Sequence, residues 1–306
     1  MSDATPAAPR RLGSSDLVVG PISYGCWRFA GTPVADARAK IETALDHGMT
    51  LIDTADIYGI DTDAGFGSAE TLLGEVLAEA PHLRDRMVLA TKGGIRPGAP
   101  YDSSAEWIRA ACEASLRRLG VDVIDLYQIH RPDLLAHPAE AAEALDELRA
   151  SGKVREVGVS NHTPSQVRAL SAHLDAPIVT TQPELSVWQL DALDDGTIDQ
   201  ALELGITPLA WSPLAGGLLV TDDPPMVDEP QRLADVRSVV RRLAEREEAT
   251  PTQVALAFLT GHPAAVVPIV GTQRVDRIIE AAGAASVTLT KRDRYELIAA
   301  AGRPLP

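Results

Sequence analysis

The chain has little of what nucleic-acid-binding, membrane-spanning or disulfide-linked proteins need. Its 306 residues include two cysteines, Cys26 and Cys112, which form no Cys-x-x-Cys or Cys/His pattern. We therefore expect reduced thiols, no metal site and a cytoplasmic location. No apolar run approaches the ~18 residues of a membrane span, and the Ala- and Pro-rich start lacks the apolar centre of a secretory signal. The net charge of -15, without a basic cluster, argues against nucleic acid as a partner.

Heptad repeats and exposed apolar stripes do not stand out either. A small molecule is therefore the expected partner, and a monomer or weak homo-oligomer the expected state. Apolar residues make up 45% of the chain, which is enough for a sizeable core. A single (β/α)8 barrel needs ~250 residues. We expect a disordered tail over residues 1–10 and one domain over residues 11–306.

Short apolar runs alternate with amphipathic segments along the chain, which predicts a parallel sheet with helices between its strands. A hairpin over Arg11–Gly20 precedes eight expected strands, which are Ile22–Gly25, Leu51–Ile52, Met87–Thr91, Val123–Ile129, Val154–Val159, Ile178–Thr181, Ile206–Ala210 and Val266–Val270. Extra helices follow a long loop over Ala215–Gln231. The pattern predicts an α/β fold, a TIM barrel with an N-terminal β-hairpin and extra C-terminal helices. Its active site would lie at the carboxyl ends of the strands.

A doubly wound sheet is the alternative architecture. It should carry a glycine-rich turn after its first strand, and none is there. The nearest approach is Gly65-Phe66-Gly67, with Glu70 in place of the third glycine. No P-loop pattern occurs either. The barrel is therefore preferred.

Four side chains capable of acid–base chemistry follow three successive predicted strands. Asp53 and Tyr58 come after Leu51–Ile52, Lys92 ends the next strand and His130 ends the one after. Because the carboxyl ends of barrel strands meet on one face, we expect the four to lie together. A phenol can give a proton to a bound carbonyl if something lowers its pKa from ~10. Lys92 and His130 are the candidates for that role.

In this order and context the four residues resemble the catalytic tetrad of the aldo-keto reductases. The resemblance runs from Leu12 to about Ala301. It includes Gly158-Val159-Ser160-Asn161, Trp211-Ser212-Pro213-Leu214, and Pro268 to Arg274, and the run His130-Arg131-Pro132-Asp133 looks most like a bacterial branch. It implies a cofactor site built from Ser160, Asn161, Gln182, Trp211, Ser212, Pro213, Leu214, Gly216, Gly271, Thr272, Gln273 and Arg277.

The resemblance also implies the reaction, transfer of a hydride from NADPH to an aldehyde or ketone. Tyr58 would donate the proton, and the positive charge of Lys92 would lower the pKa of its phenol. Asp53 would hold Lys92 charged. His130 would orient the carbonyl oxygen.

The expected site has a substrate pocket at one end and a position for the 2′-phosphate of the cofactor at the other. Trp27 and Trp188 are expected to line an open pocket with broad aldehyde tolerance. Arg277 offers a charge for a 2′-phosphate, whereas Gly271 stands where many members of the family have lysine. The acidic stretch over residues 221–229 is expected either to fold over the cofactor or to be a solvated loop.

Two other functions are compatible with these residues. A redox sensor or partner subunit would bind the cofactor with little turnover, and a barrel aldolase would use Lys92 as a Schiff-base nucleophile. Three nearby side chains receive structural interpretations. Asp56 is taken as a turn residue, His162 as a residue preceding a helix, and Trp107 as a packing residue.

Overall fold

The computed structural model describes residues 8–221, 230–303 and 305. An antiparallel hairpin, β1 Arg10–Arg11 and β2 Val18–Val19, comes first. Eight parallel strands follow, which are β3 Ser23–Gly25, β4 Leu51–Asp53, β5 Val88–Gly93, β6 Ile124–Ile129, β7 Val154–Ser160, β8 Ile178–Gln182, β9 Thr207–Ala210 and β10 Val267–Val270. They close into a barrel because β10 pairs with β3, which sets Val270 opposite Tyr24. The predicted TIM barrel and its hairpin are confirmed.

Helices pack around the outside of this barrel. They are α1 Val34–Asp46, α2 Ser68–Glu79, α3 Ala105–Leu119, α4 Pro138–Ala150, α5 Pro164–Ser171, α6 Thr197–Leu204, α7 Gln231–Arg246, α8 Pro251–Thr260, α9 Val275–Ala282 and α10 Lys291–Ala300. Within the described ranges, none combines the length and apolar character needed to cross a bilayer. Residues 1–7 of the predicted tail and 222–229 of the predicted acidic loop lie outside the described residues.

The hairpin covers the amino end of the barrel. Leu12, Leu17 and Val19 are at most 3% exposed and belong to one apolar cluster with Leu51 and Val267, the first residues of β4 and β10. Packing the hairpin against the starts of the strands removes apolar surface from water. The opposite end, where the strands finish, is left to carry the site.

Four strands run one or two residues farther than their apolar sequences predict, ending at Asp53, Gly93, Ser160 and Gln182. Backbone pairing continues to these positions, with Asp53 opposite Ala90 and Ser160 opposite Gln182. Polar side chains can remain in these strands because they hydrogen-bond one another inside the barrel. Several predicted site residues therefore sit on rigid strands rather than on loops.

Candidate active site

The ammonium of Lys92 is the centre of the candidate active site. Its side chain is fully buried on β5. It donates hydrogen bonds to Asp53 Oδ2 at 2.6 Å, to the Thr54 carbonyl at 2.8 Å and to the Tyr58 hydroxyl at 3.2 Å. An ammonium has three donors, so all of them are used. The structure thus brings three of the four predicted catalytic residues into direct contact.

Burial and charge act in opposite directions on Tyr58. Burial raises the pKa of its phenol, and the charge of Lys92 lowers it, with burial the larger effect. The predicted lowering is therefore present but outweighed, and the phenol stays protonated at neutral pH. For Lys92, burial lowers the pKa, but the interactions with Asp53 and Tyr58 outweigh it, so the pKa lies above its ordinary value.

His130, the fourth predicted residue, follows β6 and lies edge-on to Tyr58 with ring centroids 5.8 Å apart. Its backbone N–H donates to the Gly93 carbonyl at 2.8 Å. Burial lowers the pKa of its imidazole well below the ordinary value, and the charges of Lys92 and Arg131 add to this. The ring is therefore neutral at physiological pH and retains one N–H donor.

Asp53 is held by more than Lys92. Its Oδ1 accepts from Gln182 Nε2 at 3.1 Å and from Gln128 Nε2 at 3.5 Å. Thr180 in turn donates to Gln128 Oε1 at 3.2 Å, which turns the Gln128 amide nitrogen toward the carboxylate. Sequence reasoning missed Gln128. The available signal was its position two residues before His130, which puts both on one face of a strand.

Four residues of the predicted cofactor site form one connected group at the ends of β7, β8 and β9, namely Ser160, Asn161, Gln182 and Trp211. Ser160 donates to the Gln182 carbonyl at 2.9 Å, and Asn161 Nδ2 donates to Ser160 Oγ at 2.8 Å. Trp211 Nε1 donates to Asn161 Oδ1 at 2.9 Å. Because Gln182 also contacts Asp53, this group is joined directly to the tetrad.

Backbone geometry distinguishes the same region. Five described non-glycine residues have positive φ. Three of them lie in or beside the predicted cofactor residues, namely Asn161 at 58°, Ser212 at 53° and Ala215 at 50°, the last between Leu214 and Gly216. Left-handed backbone in such residues is uncommon and concentrates at functional sites. Pro213 and Leu214 lie between two of them, and Gly216 continues the turn with φ 69°.

The last predicted cofactor segment, residues 271–274 together with Arg277, runs from the end of β10 into α9. Thr272 is anchored through its carbonyl, which accepts from the Tyr24 hydroxyl at 2.9 Å. Gln273 Oε1 accepts from Lys40 Nζ at 3.0 Å. Lys40 lies on α1, and sequence reasoning did not identify it.

Both arginines of that segment are already paired with acids. Arg274 lies 2.5 Å from Asp276, and Arg277 lies 2.6 Å from Glu280. Arg277 was predicted to meet a 2′-phosphate. In this structure it pairs with Glu280, and its contact with a phosphate stays a prediction.

The two predicted pocket tryptophans lie in loops after β3 and β8. Trp27 is 61% exposed, and the Arg28 guanidinium lies 5.2 Å from its ring. Trp188 is half-buried, with the Arg232 guanidinium 3.9 Å from its ring. Their contact with a substrate stays a prediction.

The three residues that received structural interpretations differ in outcome. His162 Nδ1 lies 2.9 Å from the Ser160 carbonyl, and burial lowers the pKa of the ring to about 4. Trp107 opens α3 and stacks with Arg96 at 4.7 Å. Asp56 is more than a turn residue. It is fully buried, and neither carboxyl oxygen has a hydrogen-bond partner.

The comparisons with known proteins agree with this geometry. The model of the aldo/keto reductase family matches residues 21–301. A 6-dehydroglucose reductase from Novosphingobium aromaticivorans is 50% identical over 310 residues, covering 100% of both chains. The 6-dehydroglucose reductase of Agrobacterium fabrum is 38% identical, covering 94% of this chain and 96% of its own.

Two further relatives extend the comparison. The oxidoreductase YdhF of Escherichia coli is 37% identical, covering 96% of each chain. A thermostable aldo-keto reductase crystallised with the inhibitor epalrestat shares the fold, with a TM-score of 0.81 at 24% identity, over 95% of this chain and 99% of its own. The chain therefore belongs to the aldo-keto reductase family and is an oxidoreductase.

Proposed function

We propose that this protein reduces a carbonyl group with NADPH, using Tyr58 as the general acid. The observation that carries the proposal is the single ammonium of Lys92, shared between Asp53 Oδ2 at 2.6 Å and the Tyr58 hydroxyl at 3.2 Å inside the barrel. A cation beside a phenol favours its ionised form. It therefore stabilises the phenolate that remains after Tyr58 gives its proton to the carbonyl oxygen.

The other residues prepare that proton transfer. Asp53 fixes the direction of the Lys92 ammonium. Its own position is fixed by the Gln182 amide at 3.1 Å. His130 is neutral, because burial lowers its pKa. It can donate a hydrogen bond to the carbonyl oxygen without adding a positive charge. Positioned general acid catalysis is worth ~10²–10⁴ in rate.

The cofactor side of the proposal is supported by the donor set and backbone at the ends of β7 to β9. Asn161 and Gln182 offer amides for a carboxamide, and Trp211 offers an aromatic face beside them. The left-handed backbone at Ser212 and Ala215 fits a loop shaped around a ligand. A nicotinamide held there would supply the hydride. The residues present therefore fit the nicotinamide end of NADPH.

The engagement of Lys92 argues against the aldolase alternative. A Schiff-base lysine must be neutral to attack a carbonyl. Here the interactions with Asp53 and Tyr58 raise the pKa of Lys92 above its ordinary value. All three of its donors are also occupied.

For the substrate we propose an aldehyde at the terminal carbon of a sugar. Two relatives that match nearly the whole chain are named 6-dehydroglucose reductases. The tryptophan–arginine pair in the loop after β3 supports this. The Arg28 guanidinium lies 5.2 Å from the ring of Trp27. An aromatic face packs against the C–H groups of a sugar ring, and guanidinium donors suit its hydroxyls.

The test compares Tyr58→Phe with the wild-type protein in NADPH oxidation, using 6-dehydroglucose and 4-nitrobenzaldehyde in parallel. We expect Tyr58→Phe to lose ~10²–10⁴ of the rate while still binding NADPH. Tyr101→Phe is the matched control, because Tyr101 is 41% exposed, and its rate should be unchanged. A wild-type protein that binds NADPH and reduces neither aldehyde would favour the sensor alternative.

A further inference from the structure

Lys40 on α1 is a largely buried lysine whose ammonium forms no direct salt bridge among the described residues. The residue is 7% exposed, and no carboxylate among the described residues lies within 4.0 Å of its Nζ. Its hydrogen bond goes instead to Gln273 Oε1 at 3.0 Å. Burying a charge without an opposite charge is costly. A lysine in this setting is therefore expected to have a specific role.

The direction of α1 explains how Lys40 reaches the cofactor segment. The helix starts at Val34, just after the loop that follows the carboxyl end of β3, and runs back toward the amino end of the barrel. Helical side chains tilt toward the helix N-terminus. The side chain of Lys40 therefore points toward the carboxyl ends of the strands. There its Nζ lies 6.0 Å from the Phe29 ring and contacts Gln273.

The contact with Lys40 sets the orientation of the Gln273 amide. The amide has one acceptor oxygen and one donor nitrogen. Lys40 holds the oxygen, so Nε2 and its N–H donors face away from Lys40, on the side of the Gly271 carbonyl at 3.5 Å. An N–H donor suits an anionic phosphate, whereas a carbonyl oxygen in its place would repel it. Lys40 and the Gly271 carbonyl together fix this orientation, and the Lys40 contact is the shorter of the two.

The other charges of the segment make Lys40 more important. Arg274 and Arg277 are each paired with an acid, and Gly271 contributes no side chain. The ammonium of Lys40 is thus a cation in contact with Gln273 that forms no salt bridge with a described carboxylate, although Asp36 on the same helix acts on its charge.

We propose that Lys40 is a positioning residue for cofactor selectivity, which orients Gln273 so that the segment 271–274 prefers the 2′-phosphate of NADPH over NADH. This inference rests on the proposed NADPH-dependent function. It adds a residue on the first barrel helix to a cofactor site otherwise drawn from the ends of β7 to β10.

The experiment measures Kd for NADPH and for NADH by quenching of tryptophan fluorescence, with the thermal unfolding midpoint recorded for each variant. Lys40→Met removes the donor and the charge at nearly constant length. We expect its Kd for NADPH to rise about tenfold, with Kd for NADH changed less than twofold. Lys40→Arg should restore most of the preference. Gln273→Leu combined with Lys40→Met should weaken NADPH binding no further than either change alone.

Lys153→Met is the matched control. Lys153 forms a salt bridge of 2.6 Å with Glu113, and neither residue belongs to the cofactor segment. It should leave both constants unchanged. Equal weakening of NADPH and NADH in Lys40→Met would reduce Lys40 to a structural role. If the wild-type protein prefers NADPH and Lys40→Met leaves both Kd values unchanged, the role given to Lys40 is wrong, whereas the proposed function stands. A wild-type protein that binds NADH as tightly as NADPH would overturn the proposed cofactor, and this inference with it.

Discussion

Asp53 and Asp56 lie three positions apart on the same segment, and both are buried, at 2% and 0% exposure. Asp53 faces the barrel interior, where Lys92, Gln182 and Gln128 all donate to it. Asp56 has no hydrogen-bond partner for either oxygen. The comparison shows that burial alone does not determine the charge state or the role of a carboxyl group. The partners that share its site decide its chemistry.

The reason lies in how charges are distributed behind the tetrad. Glu70, also fully buried, accepts from Thr91 Oγ1 at 2.5 Å and from Arg118 Nε at 2.7 Å. Arg118 is thus engaged with Glu70, and the Tyr127 hydroxyl lacks a partner as well. Burial and the charge of Glu70 raise the pKa of Asp56 well above its ordinary value. Two residues before Tyr58, the chain therefore keeps a carboxyl group that resists ionisation.

The largest expected effect comes from making Asp53 resemble Asp56. Lys92→Met leaves Asp53 buried without its ion-pair partner, which typically costs ~3–5 kcal/mol of stability. It also removes the cation beside Tyr58. We expect ~10²–10⁴ of activity to be lost, measured as kcat together with the free energy of unfolding in urea. Adding Asp53→Asn should recover stability but not activity. Retained activity in Lys92→Met would contradict the role given to Lys92.

An intermediate effect is expected from the reverse change, Asp56→Asn. The pKa of Asp56 is raised in the folded protein. The contribution of its carboxyl group to the free energy of unfolding is therefore fully present below the pKa that this group has in the unfolded chain. That stability is lost as pH rises toward the folded pKa. Asparagine removes that loss, so we expect the variant to gain ~1 kcal/mol at pH 7 and little at pH 3. Unfolding measured across this range tests it. Asp53→Asn, the matched change, should destabilise. An equal gain at both pH values would contradict the titration.

The smallest effect should come from Gln128→Leu, which removes one donor from Asp53 and leaves Lys92 in place. A hydrogen bond to a charged group is worth ~1.5–3 kcal/mol at full strength. Because this one is 3.5 Å long, we expect only about a fivefold fall in kcat. Kd for NADPH should not change. Thr181→Val, a buried neighbour on β8 with no side-chain hydrogen bond among the described residues, is the control. A change in NADPH affinity would mean that Gln128 acts on the cofactor site instead.

The sequence predicts the barrel and the grouping of the candidate catalytic residues for a physical reason. Asp53, Lys92 and His130 each follow a clear apolar strand, and a parallel barrel brings all strand ends to one face. Gln128 was accessible through the two-residue period of a strand. Lys40 was not, because its partner Gln273 lies 233 positions away and their contact depends on how α1 packs beside α9. Asp56 was interpreted as a turn residue because the sequence pattern shows neither that its side chain is buried nor that its carboxyl oxygens lack hydrogen-bond partners. Both depend on tertiary packing.

The pairing of β10 with β3, which sets Val270 opposite Tyr24, has a consequence for synthesis of the chain. β3 is among the first elements made, yet one of its edges has no partner until the last strand emerges. At 5–20 residues per second, that interval is roughly 10–50 s. An unpaired strand edge can add a strand from another chain. During this time the nascent protein is open to aggregation, and a chaperone that covers the first strands would improve its yield.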